Sequence, residues 1–247
     1  MNRFILIFFI TLFGLTSNSI AQELKSKTVT KSLTIETFTV LKSDKKVRHG
    51  SYKKITTNDR VLIEGQYSNS KRVGVWKFYD YRSGFVEQEY DYDQNKFVYL
   101  NAENSEMNHI KYNGEWRTDR LDTVPILIGG LNNLRYELIQ AAYSFTDPPK
   151  FPKGGIAIFS FVIKANGETT DFKIRQSSDN SFEKYLLKLI EKRSENWLPG
   201  VYKGEKVDVE FILPMNIVYK ENTPDSKLYR IDFNYPDIVI NTLINNR

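Results

Sequence analysis

The chain has 247 residues, of which 40% are hydrophobic, 26% charged and 14% aromatic, with a formal net charge of +5. This is ordinary for one or two soluble globular domains, and the aromatic content leans toward β structure, because flat rings suit a pleated, half-buried surface. The absence of cysteine excludes disulfides, thiolate metal sites, a cysteine nucleophile and a lipid anchor on a processed N-terminal cysteine, and the two histidines, His49 and His109, stand too far apart to suggest an imidazole metal site.

In chain order, Met1-Asn2-Arg3 forms a short positive segment, and Phe4–Leu15 is apolar except for Thr11 and Gly14. Ser19 and Ala21 make the small-x-small pattern of a signal peptidase site, which predicts cleavage after Ala21 and a mature protein in the periplasm or secreted. The apolar run is shorter than the roughly 20 residues a spanning helix needs. The alternative is an uncleaved N-terminus that anchors the protein in the inner membrane, facing the periplasm.

From Gln22 to Lys46 the pattern predicts a loose start and then a strand near Leu33–Phe38. A punctuated run follows: His49-Gly50-Ser51-Tyr52, Glu64-Gly65-Gln66-Tyr67 and Val73-Gly74-Val75-Trp76, with turn residues between, and a later echo at Gly114-Glu115-Trp116. Glycine two residues before an aromatic, repeated at short spacing, predicts stacked β-hairpins. The series Gly65, Tyr67, Asn69, Lys71, Gly74, Trp76, Tyr79 resembles MORN-type repeats and the related YwqK-antitoxin repeats, over about residues 47–120. In such families the repeats form extended β platforms for protein or lipid contact.

Residues 101–113 are polar and predicted as a loop. Leu134, Leu138, Ile139 and Ala142 recur at helical spacing within 131–145. Pro148-Pro149 forbids helix and forces an extended connection. Next, Ala157, Phe159, Phe161 and Ile163 alternate on one face of a strand, and Asn166-Gly167 is the strongest short hairpin signal. In the return strand, 169–176, Phe172 and Ile174 point inward. A helix begins at Asn180 or Ser181, with Glu183 in a capping-box position. Phe182, Tyr185, Leu186, Leu189, Ile190 and Trp197 fit one helical stripe, and Pro199-Gly200 stops the helix. Val207, Val209, Phe211 and Leu213 alternate in a third strand. The expected fold is α+β: an N-terminal all-β hairpin region, then a ββαβ module with one helix on a small antiparallel sheet.

Residues 155–219 resemble the TonB C-terminal domain family. The matching features are the strand leading to Asn166-Gly167-Glu168, the polar-faced return strand, Trp197-Leu198-Pro199-Gly200, Gly204-Glu205-Lys206-Val207 and the strand closing on Leu213-Pro214. Pro125–Gly130 resembles the lead-in of members from Bacteroidetes-type bacteria. The resemblance implies recognition of an extended peptide added as a strand, as when energy-transducing members grip an outer-membrane receptor. This chain departs from those members in lacking a Pro-rich spacer.

The expected organisation is therefore a signal peptide at 1–21, a repeat region at 22–121, a TonB C-terminal-like domain at 122–220 and a tail at 221–247. No nucleophile motif, phosphate loop or dinucleotide fingerprint occurs, Asp91 and Asp93 lack the ligand count of a calcium loop, and Ser177-Ser178-Asp179 has no nearby histidine. No enzymatic activity and no cofactor are expected. The expected partner is an envelope protein, an outer-membrane receptor being the candidate, bound through the edge residues Val207, Val209, Phe211 and Leu213. Energy transduction by an anchored form is the alternative. Nucleic acid is not expected, since no block of like charge occurs. Peripheral contact with an anionic membrane, which the pI of about 9.1 suits, and a homodimer stay open.

Overall fold

The structure, a computed structural model, describes residues 23–101, 107–144, 155–176, 180–193, 196–223 and 226–232. The leader at 1–21, Pro148-Pro149 and the tail past Asp232 lie outside the described residues, as do the side chains of Ala142 and Phe182.

Seven strands form an antiparallel meander in chain order: β1 (Leu24–Thr30), β2 (Thr34–Leu41), β3 (Arg48–Thr56), β4 (Val61–Ser68), β5 (Lys71–Tyr79), β6 (Val86–Asp91) and β7 (Lys96–Leu100). The expected loose start is thus largely a strand: Leu24–Thr30 pairs in unbroken register with β2. One face of the sheet carries Phe38, Val40, Tyr52, Trp76, Phe78 and Tyr90, all buried. Two arginines hold this aromatic row together. Arg48 lies 4.5 Å from the Phe38 ring and donates to the Tyr67 hydroxyl, and Arg72 lies 4.5 Å from the Trp76 ring and donates to the Tyr92 hydroxyl. The segments Arg48-x-Gly50-x-Tyr52 and Arg72-x-Gly74-x-Trp76 therefore do the same job in successive hairpins: a cation covers rings that would otherwise meet water. On the other face Lys53, Glu64, Lys77 and Glu89 lie directly opposite one another across β3 to β6, a ladder of alternating charge.

The second sheet has the order β12-β11-β15-β8-β9, from β8 (Asn108–Tyr112), β9 (Glu115–Asp119), β11 (Gly155–Ile163), β12 (Thr169–Gln176) and the long β15 (Glu205–Thr223). Two further strands, β14 (Gly200–Tyr202) and β16 (Ser226–Asp232), pair with opposite ends of β15. Helices α1 (Leu131–Ser144) and α2 (Asn180–Arg193) cover this sheet around a core of Leu134, Leu138, Phe159, Phe161, Leu186, Ile190 and Trp197. The strands β10 (Ile126–Leu127) and β13 (Trp197–Leu198) form a separate two-stranded pair.

Four sequence expectations are corrected here. The second helix spans Asn180–Arg193 and does not include Trp197, which lies in β13 and pairs with β10; Asn196, just before it, adopts φ +72°. Trp197 still enters the core, from a strand. The stretch 101–113 is not all loop, since β8 lies within it. The hairpin at 108–119, with its Gly114 and Trp116, belongs to the C-terminal sheet and not to the repeat sheet, so the sheets divide after β7 instead of at 121. Two short strands, β13 and β14, also separate α2 from β15, so the module is more elaborate than a bare ββαβ.

Helix α1 serves both sheets. Leu134 and Leu138 point into the C-terminal core. Its other side reaches the meander: Glu137 pairs with Lys54 at 3.1 Å, Gln140 donates to the Thr34 hydroxyl at 3.1 Å, and the Tyr136 hydroxyl donates to the Leu33 carbonyl at 3.0 Å. The lead-in adds a further clamp, in which the Gln88 amide donates to the Leu127 carbonyl and accepts from the Gly129 amide.

Candidate functional site

The four residues singled out for partner binding all lie on β15, and β15 is an interior strand. On one side β11 pairs with 209–217, and on the other β8 pairs with 208–210. Val207 is matched with Gly200 of β14. Val207 and Val209 are buried with Ile110, Leu121 and Tyr202, and Leu213 is buried in the main core. Phe211 packs between Phe161, at 5.3 Å between centroids, and Trp197, at 4.9 Å. The free border expected at 207–213 is therefore corrected: the chain's own hairpin occupies it at 208–210, and these side chains serve the core. The tail strand β16 pairs further along, at 216–223.

Polar groups pin the interior strand. Asp208 accepts from Lys164 at 2.6 Å and from the Ala165 amide at 2.9 Å. Burial pushes the Asp208 carboxyl up, but these two donors outweigh it and hold the group below the ordinary carboxylate range. Arg175 of β12 reaches across β11 to Glu210 and donates to Ser160. The sheet is thus braced from β12 to β15 by charge as well as by backbone.

The borders that remain in this sheet differ in quality. β12 is broken twice against β11, between Ile158 and Phe159 and between Ser160 and Val162, and Asp171 adopts φ +56°. Such bulges twist an edge away from further pairing. β16 lies against α1. β9 is unbroken: Asn108 to Tyr112 match Asp119 to Glu115 without a shift, and the connection is the two-residue Asn113-Gly114, both with positive φ, a type I′ turn. Trp116 on β9 is 42% exposed, its ring stacked on His109 at 5.0 Å and 9°. The same Asn-Gly rule that found the hairpin at 166–167 applies at 113–114, and there it marks a border strand that reading the stretch as loop had hidden.

One cleft opens between the meander and the helices, with a volume of about 380 Å³. Leu138 and Leu189 are among its apolar lining, and Lys31, Lys54 and Glu137 among its charged lining. Those charges are engaged, Lys54 with Glu137 and Lys31 with Glu36 at 3.0 Å. Among the described residues no group of three or more metal-ligating side chains comes together, and no helix is long and apolar enough to cross a membrane.

Compared with known families, residues 152–220 match the one described as Gram-negative bacterial TonB protein C-terminal, which covers β11 to near the end of β15 and well under half of the chain. No curated protein and no solved structure matches.

Proposed function

We propose that this is a non-enzymatic protein of the bacterial cell envelope, which binds a protein partner by accepting an extended strand at a border of its C-terminal sheet. The observation that supports this most is the family match at 152–220, which falls on the helix-backed antiparallel sheet. Strand addition supplies main-chain hydrogen bonds for affinity and side-chain contacts for specificity. With β15 taken by β8 at 208–210 and by β16 at 216–223, and with β12 bulged, the receiving strand in this reading is β9.

A photo-crosslinking side chain tests this when placed at Trp116 on β9, at Lys173 on β12 and, as a control, at exposed Ser51 on the outer face of the meander. The expected result is an adduct with an envelope protein from position 116 only, lost in Thr118→Pro. Equal labelling from Ser51, or no adduct from either border, overturns the proposal.

The other reading is an energy transducer held by an uncleaved N-terminus, and the same family match favours it. Against it stands the position of β1, which begins at Leu24 with the Glu23 carbonyl already bonded to the Lys42 amide. An anchored form would have almost no spacer between membrane and sheet. The mass of the native N-terminus separates the readings, because a chain that begins at Gln22 ends the anchored one.

A further inference from the structure

We infer that the β9 border pairs with β9 of a second copy of this chain, forming a two-fold antiparallel join centred on Trp116. This names the occupant of the border chosen above and rests on that reading only for the choice of border.

The sheet borders of the molecule are unequally protected. β1 carries exposed Lys25 and half-buried Lys27, and lysines blunt an edge. β7 is bulged at Val98, since Glu89 matches Tyr99 while Tyr90 matches Phe97. β12 has its two breaks, and β16 lies against α1. Of these borders among the described residues, β9 alone combines an unbroken register, no lysine and a large exposed ring.

Backbone geometry fixes which groups face outward. The two-residue loop makes Tyr112 and Glu115 a hydrogen-bonded pair, so the amides and carbonyls of Trp116 and Thr118 point away from β8. Two copies of Glu115-Trp116-Arg117-Thr118-Asp119, laid antiparallel with like faces on the same side, can centre on residue 116, 117 or 118. Centring on Arg117 sets arginine against arginine and Glu115 against Asp119, which is repulsive. Centring on Thr118 sets Arg117 against Asp119. That carboxylate, however, is already taken by the Tyr202 hydroxyl at 2.6 Å, the Arg120 amide at 2.9 Å and, within the same strand, the exposed Arg117 at 3.5 Å, a solvated pair that Glu115 of a second copy would share in the register centred on Trp116, and the exposed indole would remain in water.

Centring on Trp116 sets Glu115 against Arg117 twice. These are non-hydrogen-bonded positions, where side chains approach most closely. It also brings the two indoles together, so that His109, Trp116 and their counterparts form one continuous aromatic row. Charge and exposure thus select the same register. In this register three β9 residues of each copy, Glu115 to Arg117, meet strand to strand and Thr118 faces Gly114 of the turn, so the join covers far less than the roughly 1,200 Å² of a stable interface and the association is weak and depends on concentration.

Sedimentation velocity on the natively processed protein, over a wide concentration range, tests this. The expected result is a monomer–dimer equilibrium that Glu115→Arg and Arg117→Glu each weaken by about tenfold in Kd, and that the double exchange restores. Both residues are exposed, so the variants keep the fold, which circular dichroism checks. In parallel, the amide exchange of Trp116 and Thr118 slows as concentration rises, whereas that of Val98 does not. A protein that stays monomeric throughout overturns the inference. So does an equilibrium indifferent to Glu115→Arg, which rules out the register centred on Trp116. A monomer that still labels a different envelope protein from position 116 sinks the second copy and leaves the strand-addition proposal standing.

Discussion

Gly65 shows how a residue's role depends on what lies above it. The expectation that each glycine of the repeats eases the backbone holds at Gly50 and Gly74, though not in turns: both have positive φ inside β3 and β5, beside breaks in register. It does not hold at Gly65, where a Cβ would meet the Trp76 ring at 2.3 Å. That ring is fully buried and held edge-on by Tyr67 and Tyr92, so it cannot retreat. Gly65→Ala should therefore cost about 1–3 kcal/mol by overpacking, measured by chemical denaturation, whereas a change near zero would mean the indole is free to shift. Glu87 makes a second case. It reaches from β6 to the start of α1, a helix with no acidic residue in its own first turn, and Oε1 takes a long contact of 3.5 Å from the Asn132 amide. Oε2 finds no donor among the described residues. Burial pushes this carboxyl above its ordinary 4.5, outweighing the Asn132 amide, with Asp80 adding to the rise. A raised folded value means that the group's favourable contribution is present below 4.5 and is lost as pH climbs through the folded value. Glu87→Gln should remove that decline and be at least as stable as the native protein at neutral pH. A loss of stability at pH 7 with the slope intact would show that the carboxylate's pull on the helix terminus dominates instead.

At the scale of elements, the hairpin β8–β9 is the least expected part of the molecule. Alternating strands that carry large apolar residues were legible, and so β11, β12 and the first part of β15 fell where periodicity placed them. Which strand lies next to which was not legible. The partner of β15 is settled by a cluster assembled from distant segments, Ile110, Leu121, Tyr202, Val207 and Val209, and no local pattern announces it. Trp197 is similar: its spacing fits the α2 stripe, yet the turn at Asn196 and the two-residue pairing with β10 place it in a strand. Local preference identified the side chain as core and misjudged the element. Because Ile110 is fully buried at the heart of that cluster, Ile110→Ala should cost about 2–5 kcal/mol. It should also release the hairpin before the rest, so that the amides of Asp208 and Glu210 exchange faster while those of Phe159 and Phe161 stay protected. Uniform loss of protection would instead mean that the hairpin and the main core open together.

For the whole molecule, the packing of α1 argues for one unit in place of a separate hairpin region and C-terminal domain. A repeat platform used as a spacer would need a flexible join. The join found here is a helix with one side in the C-terminal core and the other bonded to the meander through Lys54, Thr34 and Leu33. Lys54 is almost wholly buried, and replacing Glu137 alone would leave its charge uncompensated at the join. The two sheets should then unfold as one unit. The protein carries its own probes for this, since of its three tryptophans Trp76 lies in the meander, Trp197 in the C-terminal core and Trp116 on the border. Variants that retain only Trp76 or only Trp197 isolate each sheet. After allowance for the stability change caused by each replacement, both should report the same cooperativity, and Leu138→Ala in α1 should lower both midpoints in step. If Leu138→Ala moves the Trp197 transition and leaves that of Trp76 in place, the sheets are independent, and the meander is free to act as the separate platform that its repeats first suggested.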